Sequence, residues 1–592
     1  MPNEVEETNR EETPDANNNT RKKWVACSIL LLVNLLNYMD RYTIVGVMSD
    51  LKKHFDMDDK SSGMLQTVFI GFYMIFAPLF GYLGDRYNRK LLMITGIIIW
   101  IVAVFMSSFC TENHYLLFLL CRGIVGIGEA SYSTIAPTII SDLFTGAQRS
   151  RVFMMFYFAI PVGSGLGFIA GSHIALATGS WEWGVRFSPI IGIACLAMMI
   201  FLLEEPVRGA CEGARQSGDG GSLWEDFKYL LSVRTYYLVS LASVAAFFSI
   251  GTMSWWTPAF IGYAYATINR MASVPPEELA HINLIFGIIT CVAGLLGVAA
   301  GSLISRAWRD GSSVFKNCAS ERADVYICAI SMFLALPFLF LAIFVAEYSV
   351  NASLVLIYFA IMSMCLNWSV NVDVLMYVIV ANRRATALAI QTLVAHLFGD
   401  ASSPYIIGVL SDAFRGSDVS AAGHFFALQK ALYVPTFMLV IAGGFFLAAS
   451  FSVERDRREA LFQMDEVTAS DTWTNSNNPE DMDSLLVSRR SPGVVEGVVE
   501  EPAPEQQQQP QQQRPSFASS TDENCDDIEK LASDDDSDTV FTDDDKSTIH
   551  FENTARPTAG RDEDVDKMSS HSDETGEWEV QKRGSVEEDE VI

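Results

Sequence analysis

The chain has 592 residues, of which 50% are hydrophobic and only 19% are charged, and its formal net charge is −29. About −25 of this charge lies between Glu454 and the end and about −2 lies in residues 1–23, so the long central part is close to neutral. Such acidic ends exclude nucleic acid as a partner, and the long apolar runs between them predict an all-α integral membrane protein.

Residues 1–23 are acidic and rich in Asn, and we predict a disordered cytosolic N-terminus there. About twelve apolar runs follow, each long enough to cross a bilayer of about 30 Å. The runs cover residues 24–48, 62–83, 91–110, 115–140, 150–178, 184–204, 234–262, 281–305, 323–346, 350–380, 385–412 and 428–452. The polar interval 205–233 is predicted to be a cytosolic central loop. It divides the runs into an N-terminal six-helix bundle over 24–204 and a C-terminal six-helix bundle over 234–453.

Clusters of Lys and Arg recur at alternate ends of the apolar runs. The clusters named next fall on one side if both termini are cytosolic, which is the orientation that the positive-inside rule favours, and Lys52-Lys53 in the first opposite loop is an exception. The clusters are residues 21–23, Arg86 with Arg89 and Lys90, Arg149 with Arg151, Arg306 with Arg309, Arg383 with Arg384, and Arg455 to Arg458. The sequon Asn351-Ala352-Ser353 lies on the opposite side, so Asn351 is a candidate for glycosylation.

Two charged residues, Arg122 and Glu129, lie inside the fourth apolar run. A charge at such depth costs about 3 kcal/mol on insertion scales, and it is retained where it faces water, a partner or a substrate. Seven residues make almost two helical turns, which places Arg122, Gly126 and Glu129 on one helix face. We interpret this face as the wall of a polar path through the membrane. The alternative interpretation is a buried ion pair that only holds helices together.

Several stretches of the chain resemble known transporter motifs. The loop after the second run, GYLGDRYNRK at 81–90, is similar to the G-x-L-x-D-R-x-x-R-K signature of the major facilitator superfamily. A closer resemblance is to the Spinster family, and it covers residues 24–458. It is carried by NYMDR at 37–41, GEASYSTIAPT at 128–138, FYFAIPVGSGLG at 156–167 and GDASSPY at 399–405. The resemblance implies the major facilitator fold and a transporter of lysolipids or sphingolipids, in late endosomes and lysosomes or at the cell surface.

In the superfamily's fold the first and fourth spans both line the central cavity. The resemblance therefore implies that Asp40 and Arg41 of the first run join Arg122 and Glu129 in one transport and proton-coupling cluster. The planar fork of Arg suits phosphate because it binds two oxygens at once. When an anionic head group takes the Arg, the carboxylate loses its partner and is expected to bind a proton more readily. A permanent salt-bridge network is the alternative.

The signature loop is predicted to act as a cytosolic gate motif formed by Gly81, Asp85, Arg86, Arg89 and Lys90. The glycines permit a tight turn, and Asp85 can sit at the positive end of a neighbouring helix. Arg86 and Arg89 can bind carboxylates or helix ends across the loop, which would latch the cytosolic face shut until the halves rock. The alternative is an ordinary basic loop that obeys the orientation rule. The equivalent loop at 301–306 departs from the pattern because it lacks the Asp.

Two further features carry smaller predictions. His396 and Asp400 are four residues apart in the eleventh run, where a local hydrogen bond is the favoured interpretation and a pH-responsive group the alternative. Residues 454–592 are acidic and rich in Ser, Thr and Gln, which predicts a disordered cytosolic tail. Within it, Asp481, Leu485 and Leu486 match an acidic dileucine sorting signal, which would bring clathrin-adaptor machinery as a partner and deliver the protein to endosomes and lysosomes.

These patterns favour a secondary active transporter of late endosomes and lysosomes. It would export a lysophospholipid or a sphingolipid similar to sphingosine 1-phosphate by alternating access. Its expected partners are membrane lipids, this anionic or zwitterionic lipid-like substrate, and protons to which transport is coupled. A sugar or organic-anion permease of the same fold, and a non-transporting receptor or scaffold that acts through its tail, are the alternatives. We expect no enzyme, no cofactor and no metal site, because the chain has no P-loop, no H-E-x-x-H and no nucleophile elbow.

Overall fold

The computed structural model describes residues 14–206, 223–312, 315–316 and 318–475. All regular structure in these ranges is helical. The helices are α1 (Pro14–Gly46), α2 (Met48–Phe55), α3 (Asp59–Arg86), α4 (Arg89–Ser107), α5 (Tyr115–Leu143), α6 (Gly146–Thr178), α7 (Trp181–Leu202), α8 (Leu223–Ser232), α9 (Arg234–Ile268), α10 (Pro276–Arg309), α11 (Ala323–Val345), α12 (Val350–Cys365), α13 (Asn367–Val378), α14 (Arg384–Ala395), α15 (Ser403–Arg415), α16 (Ala421–Ala449) and α17 (Val453–Asn475). A π-helical turn over His396–Asp400 separates α14 from α15.

Eleven helical stretches in the described ranges are long and apolar enough to cross a membrane. One of these stretches consists of α12 and α13 together, and another runs from Ala381 to Arg415 through α14 and α15. The polar residues of α1, among them Asn34 and Asn37, lower its hydropathy, yet it packs inside the bundle against α6 and α7. With α1 included, the predicted number of spans is reached, and the all-α membrane fold is confirmed.

Three segments that were predicted to be loop or disordered tail are helical. α1 already begins at Pro14, where a proline suits the first helical position. α8 forms in the second part of the central interval, where Asp226 lies 2.9 Å from Arg383. α17 continues the chain beyond the last span, because its first turn is tied to the bundle. There Asp456 accepts a hydrogen bond of 2.7 Å from the backbone of Thr235. The residues from 207 to 222 and after 475 lie outside the described part.

The helices pack as two sets that meet along two seams. In the first half, α1 packs on α6 and α7, while α5 packs on α3 and α4. In the second half, α16 packs on α9 and α11, and α12 packs on α10 and α11. The halves meet where α3 lies against α15 and where α6 lies against α10. We call the end of the bundle where α1 begins and α17 leaves the terminal face, and the opposite end, which carries α2, the distal face.

Glycines allow helix backbones to approach closely at several crossings. A Cβ atom on Gly287 would lie 2.6 Å from the carbonyl oxygen of Gly165, so the α6–α10 seam has no room for side chains at that level. Between α4 and α5, a Cβ atom on Gly96 would lie 2.9 Å from the carbonyl oxygen of Gly128 and would also collide with Ser131. Small residues of this kind are the usual packing device of membrane helices, since hydrocarbon gives no hydrophobic drive for helix association.

The replacement of Gly96 by Val tests this packing. We expect Gly96→Val to lower the free energy of unfolding, because overpacked cores lose about 1–3 kcal/mol. Gly444→Val is the matched control, since a Cβ atom on Gly444 meets nothing within 4 Å. Thermal unfolding of the detergent-solubilised variants, followed by size-exclusion chromatography, should show a lower melting temperature for Gly96→Val alone. Equal behaviour of both variants would contradict the assignment.

Candidate functional site

The four charged residues predicted for the transport cluster come from two helices of the first half. α1 carries Asp40 and Arg41, and α5 carries Arg122 and Glu129. All four are buried, with relative exposures of 1% for Asp40, 7% for Arg41, 1% for Arg122 and 1% for Glu129. The structure therefore brings these side chains together in the interior, as two linked sets rather than as one evenly shared cluster.

Arg41 and Glu129 form the first set. Arg41 Nη2 donates a hydrogen bond of 3.0 Å to Glu129 Oε2, which is also the ion-pair distance. The second carboxylate oxygen of Glu129, Oε1, is buried and has no hydrogen-bond partner, and the same is true of Arg41 Nε. The pair is thus held by a single hydrogen bond, although a guanidinium and a carboxylate can form two parallel ones.

Asp40 and Arg122 form the second set, and neutral donors complete it. Asp40 Oδ2 accepts a hydrogen bond of 3.0 Å from Trp100 Nε1, and Asp40 Oδ1 accepts one from Ser188 Oγ. Arg122 Nη1 lies 3.9 Å from Asp40 Oδ2, which is beyond hydrogen-bonding distance. Nε and Nη2 of Arg122 are buried without hydrogen-bond partners. Asp40 is therefore well satisfied, whereas Arg122 is not.

Aromatic rings enclose the guanidinium of Arg41. Its central carbon lies 5.0 Å from the ring centre of Tyr38, 5.0 Å from that of Phe69 and 5.3 Å from that of Tyr73. The guanidinium of Arg122 lies 5.1 Å from the ring centre of the same Phe69. Each such contact is worth about 0.5–2 kcal/mol and stabilises a cation away from bulk water. Sequence reasoning had no signal for these rings, because aromatic residues are common in any apolar run.

The site contains more hydrogen-bonding capacity than its own residues use. Buried polar atoms are nearly always paired in native proteins, and an unpaired buried donor or acceptor costs about 1–3 kcal/mol or more for a charged group. Three guanidinium nitrogens and one carboxylate oxygen lack partners here, on Arg41, Arg122 and Glu129. This arrangement can accept an anionic or polar group, with Arg41 as the more exposed of the two arginines.

The prediction that Gly126 lines the same polar path as Arg122 and Glu129 is wrong. A Cβ atom on Gly126 would collide with the carbonyl oxygen of Phe69 and lie 3.1 Å from the backbone nitrogen of Tyr73. Its place is therefore the close contact between α5 and α3. That contact brings Phe69 to both arginines and Tyr73 to Arg41, so Gly126 shapes the site without lining it.

Polar groups of the second half lie along α9, α13, α14 and the π-helical turn. His396 Nδ1 lies 2.9 Å from Asp400 Oδ2, so the local hydrogen bond that was the favoured interpretation is present. The His396 ring also packs on Phe247, with the ring centres 4.6 Å apart. Nearby, Ser243 Oγ accepts hydrogen bonds from Asn371 at 3.3 Å and Gln391 at 3.2 Å.

The signature loop makes its described contacts within the first half. Arg89 is buried and lies 2.7 Å from Asp142 at the end of α5, and its backbone nitrogen donates to Glu205 at 3.0 Å. Lys90 Nζ donates to the carbonyl oxygen of Ile200 at 2.8 Å, and the Arg86 guanidinium lies 4.1 Å from the Tyr82 ring. Asp85 is exposed. Whether this loop latches the two halves stays a prediction.

The expectation that glycine makes a tight turn at the signature loop is wrong. Gly81 lies inside α3, which continues to Arg86, and a Cβ atom there would meet nothing within 4 Å. The chain turns at Tyr87 and Asn88 instead. Asn88 starts α4 by accepting a hydrogen bond of 2.8 Å from the backbone of Leu91, which is the usual role of Asn at a helix start.

The second half has charged contacts at its terminal face despite the missing Asp. Arg309 Nη1 lies 3.0 Å from Asp324, the second residue of α11. Arg322 donates two hydrogen bonds to Glu454, of 2.7 Å and 2.9 Å. The bonds from Arg322 hold the pKa of Glu454 below its usual range. Here the carboxylates come from the start of the next span and from α17, which the motif comparison could not anticipate.

Two further predicted sites lie away from the bundle interior. Asn351 is exposed in the first turn of α12 at the distal face, while Ser353 of the same sequon is buried and donates a hydrogen bond of 2.8 Å to the carbonyl oxygen of Ala342. The predicted sorting residues Asp481, Leu485 and Leu486 lie outside the described residues.

Comparisons with known proteins agree with this architecture. The family model described as Major Facilitator Superfamily matches residues 30–404. Protein spinster homolog 1 from Xenopus laevis is 43% identical over 451 residues, which covers 75% of this chain and 84% of the relative. The human protein of the same name is 43% identical over 440 residues, which covers 73% and 81%. The sphingosine-1-phosphate transporter SPNS2 from Danio rerio is 41% identical over 450 residues, which covers 76% and 88%.

Solved structures show the same fold at lower identity. A bacterial homolog of the human lysosomal transporter Spinster, in an inward-facing and occupied conformation, has a TM-score of 0.61 at 17% identity. The match covers 73% of this chain and 97% of that structure. A D-xylose–proton symporter has a TM-score of 0.53, and the match covers 72% and 97%. The chain therefore belongs to the Spinster family of the major facilitator superfamily, and it is a membrane transporter, not an enzyme.

Proposed function

We propose that this protein is a secondary active transporter that exports a lysophospholipid or a sphingolipid of the sphingosine 1-phosphate type from late endosomes and lysosomes. It works by alternating access and is coupled to protons. The observation that carries this proposal is the buried pair of Arg41 and Glu129, which share one hydrogen bond of 3.0 Å and leave further atoms unpaired.

The chemistry of Arg41 suits a phosphate-bearing head group. A phosphate offers several oxygens to the planar guanidinium, and such charge-assisted hydrogen bonds are about twice as strong as neutral ones. The rings of Tyr38, Phe69 and Tyr73 around Arg41 provide an apolar wall next to the charge. An amphiphile needs both features, since its head group is charged and its chain is apolar. The similarity to the Danio rerio sphingosine-1-phosphate transporter supports the same class of cargo.

Proton coupling follows from the exchange of partners at Arg41. Breaking a buried ion pair by removal of one partner costs about 3–5 kcal/mol, because the other charge is left without compensation. When a phosphate takes Arg41, Glu129 is the residue left behind, with a side chain that is only 1% exposed. Uptake of a proton by Glu129 removes that cost. An acidic lumen supplies the proton, and the return of Arg41 to Glu129 releases it on the other side.

We further propose a cellular setting for the transporter. Both termini lie in the cytosol, so the terminal face is the cytosolic face, and the plasma membrane is the alternative location. Asp481, Leu485 and Leu486 of the tail direct delivery through clathrin adaptors. Asn351 is open to glycosylation at the lumenal side, and the loop around Arg89 takes part in closing the cytosolic face. Truncation of the tail before Asp481 should move the protein to the plasma membrane without a change in flux.

Replacement of Arg41 by Lys tests the head-group contact. We expect Arg41→Lys to reduce lipid flux at least about tenfold, since the loss of one charge-assisted hydrogen bond costs about 1.5–3 kcal/mol. Arg186→Lys is the matched control, because Arg186 bonds to Ser108 near the distal face, at 2.9 Å and 3.0 Å. Flux is measured in proteoliposomes with lysophosphatidylcholine, sphingosine 1-phosphate and glucose as separate substrates. Glucose uptake that is measurable in the wild type and reduced in Arg41→Lys would favour the sugar permease instead.

Replacement of Glu129 by Gln tests the coupling. In acid-loaded proteoliposomes, wild-type export of sphingosine 1-phosphate should accelerate with the pH gradient. Glu129→Gln should keep a downhill flux, but a pH gradient should no longer drive the lipid against its own concentration gradient, because the amide cannot take up a proton. Glu112→Gln, a change in an exposed loop, should behave as the wild type does. Uphill accumulation driven by the pH gradient in Glu129→Gln would place the coupling at another residue.

A further inference from the structure

A second group of buried and partly buried charges joins the two halves at the distal face and is separate from the transport cluster. We call it the distal gate, and it consists of Lys52 on α2, Asp59 on α3, Tyr263 on α9, Ser411, Asp412 and Arg415 on α15, and His424 on α16. The side chain of Asp59 is fully buried, and that of Lys52 is only 12% exposed. The transport mechanism described above makes no use of these residues.

The strongest connection in the distal gate is a helix cap that crosses between the halves. Asp412 of the second half accepts hydrogen bonds from the first two backbone nitrogens of α3, at 3.2 Å from Asp59 and 2.7 Å from Lys60. A carboxylate at this position satisfies free amide groups and interacts favourably with the positive end of the helix. Ser411 Oγ donates to Asp59 Oδ2 at 2.6 Å, and Lys52 bridges from Asp59 to Tyr263, 3.3 Å away.

These contacts must break when the distal face opens. α3 belongs to the first half and α15 to the second, and a Cβ atom on Gly408 of α15 would collide with the backbone of Asp59. The two helices therefore touch at backbone level here, with no space for water or cargo to pass. In a transporter that works by alternating access, the distal gate is closed in this conformation and opens in the other.

His424 is the group in the distal gate whose charge changes near neutral pH. Arg415 Nη1 lies 2.9 Å from His424 Nε2, and because the guanidinium is always a donor, this nitrogen must be the acceptor. The imidazole is therefore neutral in this arrangement, with its proton on Nδ1. Nδ1 is buried without a hydrogen-bond partner and lies 4.0 Å from Asp59 Oδ2. The ring also stacks on Tyr263, with the centres 4.9 Å apart.

Apart from the exposed Asp418, the charged groups around His424 are balanced without it. Lys52 and Arg415 are cations, Asp59 and Asp412 are carboxylates, and Asp418 on the loop before α16 is an exposed carboxylate that also acts on the ring. A proton on Nε2 would turn the acceptor of Arg415 into a second donor and place two cations in contact. Asp59 offers little compensation, since Lys52 and Ser411 already occupy its two oxygens.

We propose that His424 is a second proton-binding site of this transporter, and that a proton on its Nε2 releases the distal gate. The proton displaces Arg415 from the ring. Arg415, which already donates a hydrogen bond of 2.7 Å to Asp412, then binds Asp412 more strongly, and Asp412 leaves the start of α3. Acid on the distal side thereby favours opening of that side, where cargo and the transported proton enter. The proposal rests on alternating access but on neither the lipid cargo nor the role of Glu129.

The experiment measures opening directly, in the full-length protein in lipid nanodiscs. Spin labels are attached at Glu112→Cys and Tyr348→Cys, two exposed distal loops of opposite halves, with Cys211, the exposed Cys318 and Cys525 replaced by Ser. Double electron–electron resonance gives the distance between the labels. Between about pH 7.5 and about pH 5.5, we expect the ratio of long to short distances to rise at least about tenfold, because one linked proton allows up to a hundredfold over two pH units.

Three variants in the labelled background decide the assignment. His424→Gln can still accept from Arg415 but cannot be charged, and it should keep the short distance at both pH values. Asp412→Asn should shift the population to the long distance at both values. Glu129→Gln should open with acid as the wild type does. The proposal is overturned if the wild type does not respond, if His424→Gln responds equally, or if Glu129→Gln removes the response. None of these readouts involves lipid flux, so the failure of the lipid proposal would be seen separately.

Discussion

The architecture depends on one constraint, which is that a charge buried between membrane helices must always have a partner. In the present conformation Arg41 and Glu129 are each other's partner, joined by one hydrogen bond of 3.0 Å. Leaving either side alone costs about 3–5 kcal/mol. In the proposed mechanism an anionic head group satisfies Arg41 and a proton satisfies Glu129, so the two ligands are energetically linked without contacting each other. Coupling of this kind needs no further machinery than a pair that can exchange partners.

The same reasoning connects the centre of the bundle to its distal face. Asp40 is held by Trp100 and Ser188, two neutral donors from α4 and α7, and so has no need to exchange partners. The adaptable charges are instead Arg41 with Glu129 in the first half, and Asp412 with the start of α3 between the halves. In the proposed mechanism one set responds to cargo and the other to closure of the distal face. A proton at the distal side would then act first at His424 and afterwards at Glu129.

Much of the central site was predictable, because charges inside apolar runs are rare and stand out. Asp40, Arg41, Arg122 and Glu129 were identified on that ground and lie together in the structure. Their division into two sets was not predictable, since it depends on Trp100 and Ser188, which are ordinary residues in a membrane helix. The distal gate was not predicted either, although Lys52 stood out as part of an exception to the positive-inside rule. Lys52, Asp59 and Asp412 lie near the ends of spans, where charges are common, and Asp59 and Asp412 are more than 350 positions apart in the chain.

The central claim is that cargo displaces Glu129 from Arg41, and proton uptake on binding tests it most directly. Sphingosine 1-phosphate is added to the purified protein in a weakly buffered detergent solution, and a pH-indicator dye records the protons removed from the medium. The account predicts about one proton taken up per lipid bound by the wild type and none by Glu129→Gln at equal occupancy. Lipid binding to the wild type without proton uptake, or equal uptake by Glu129→Gln, would contradict it.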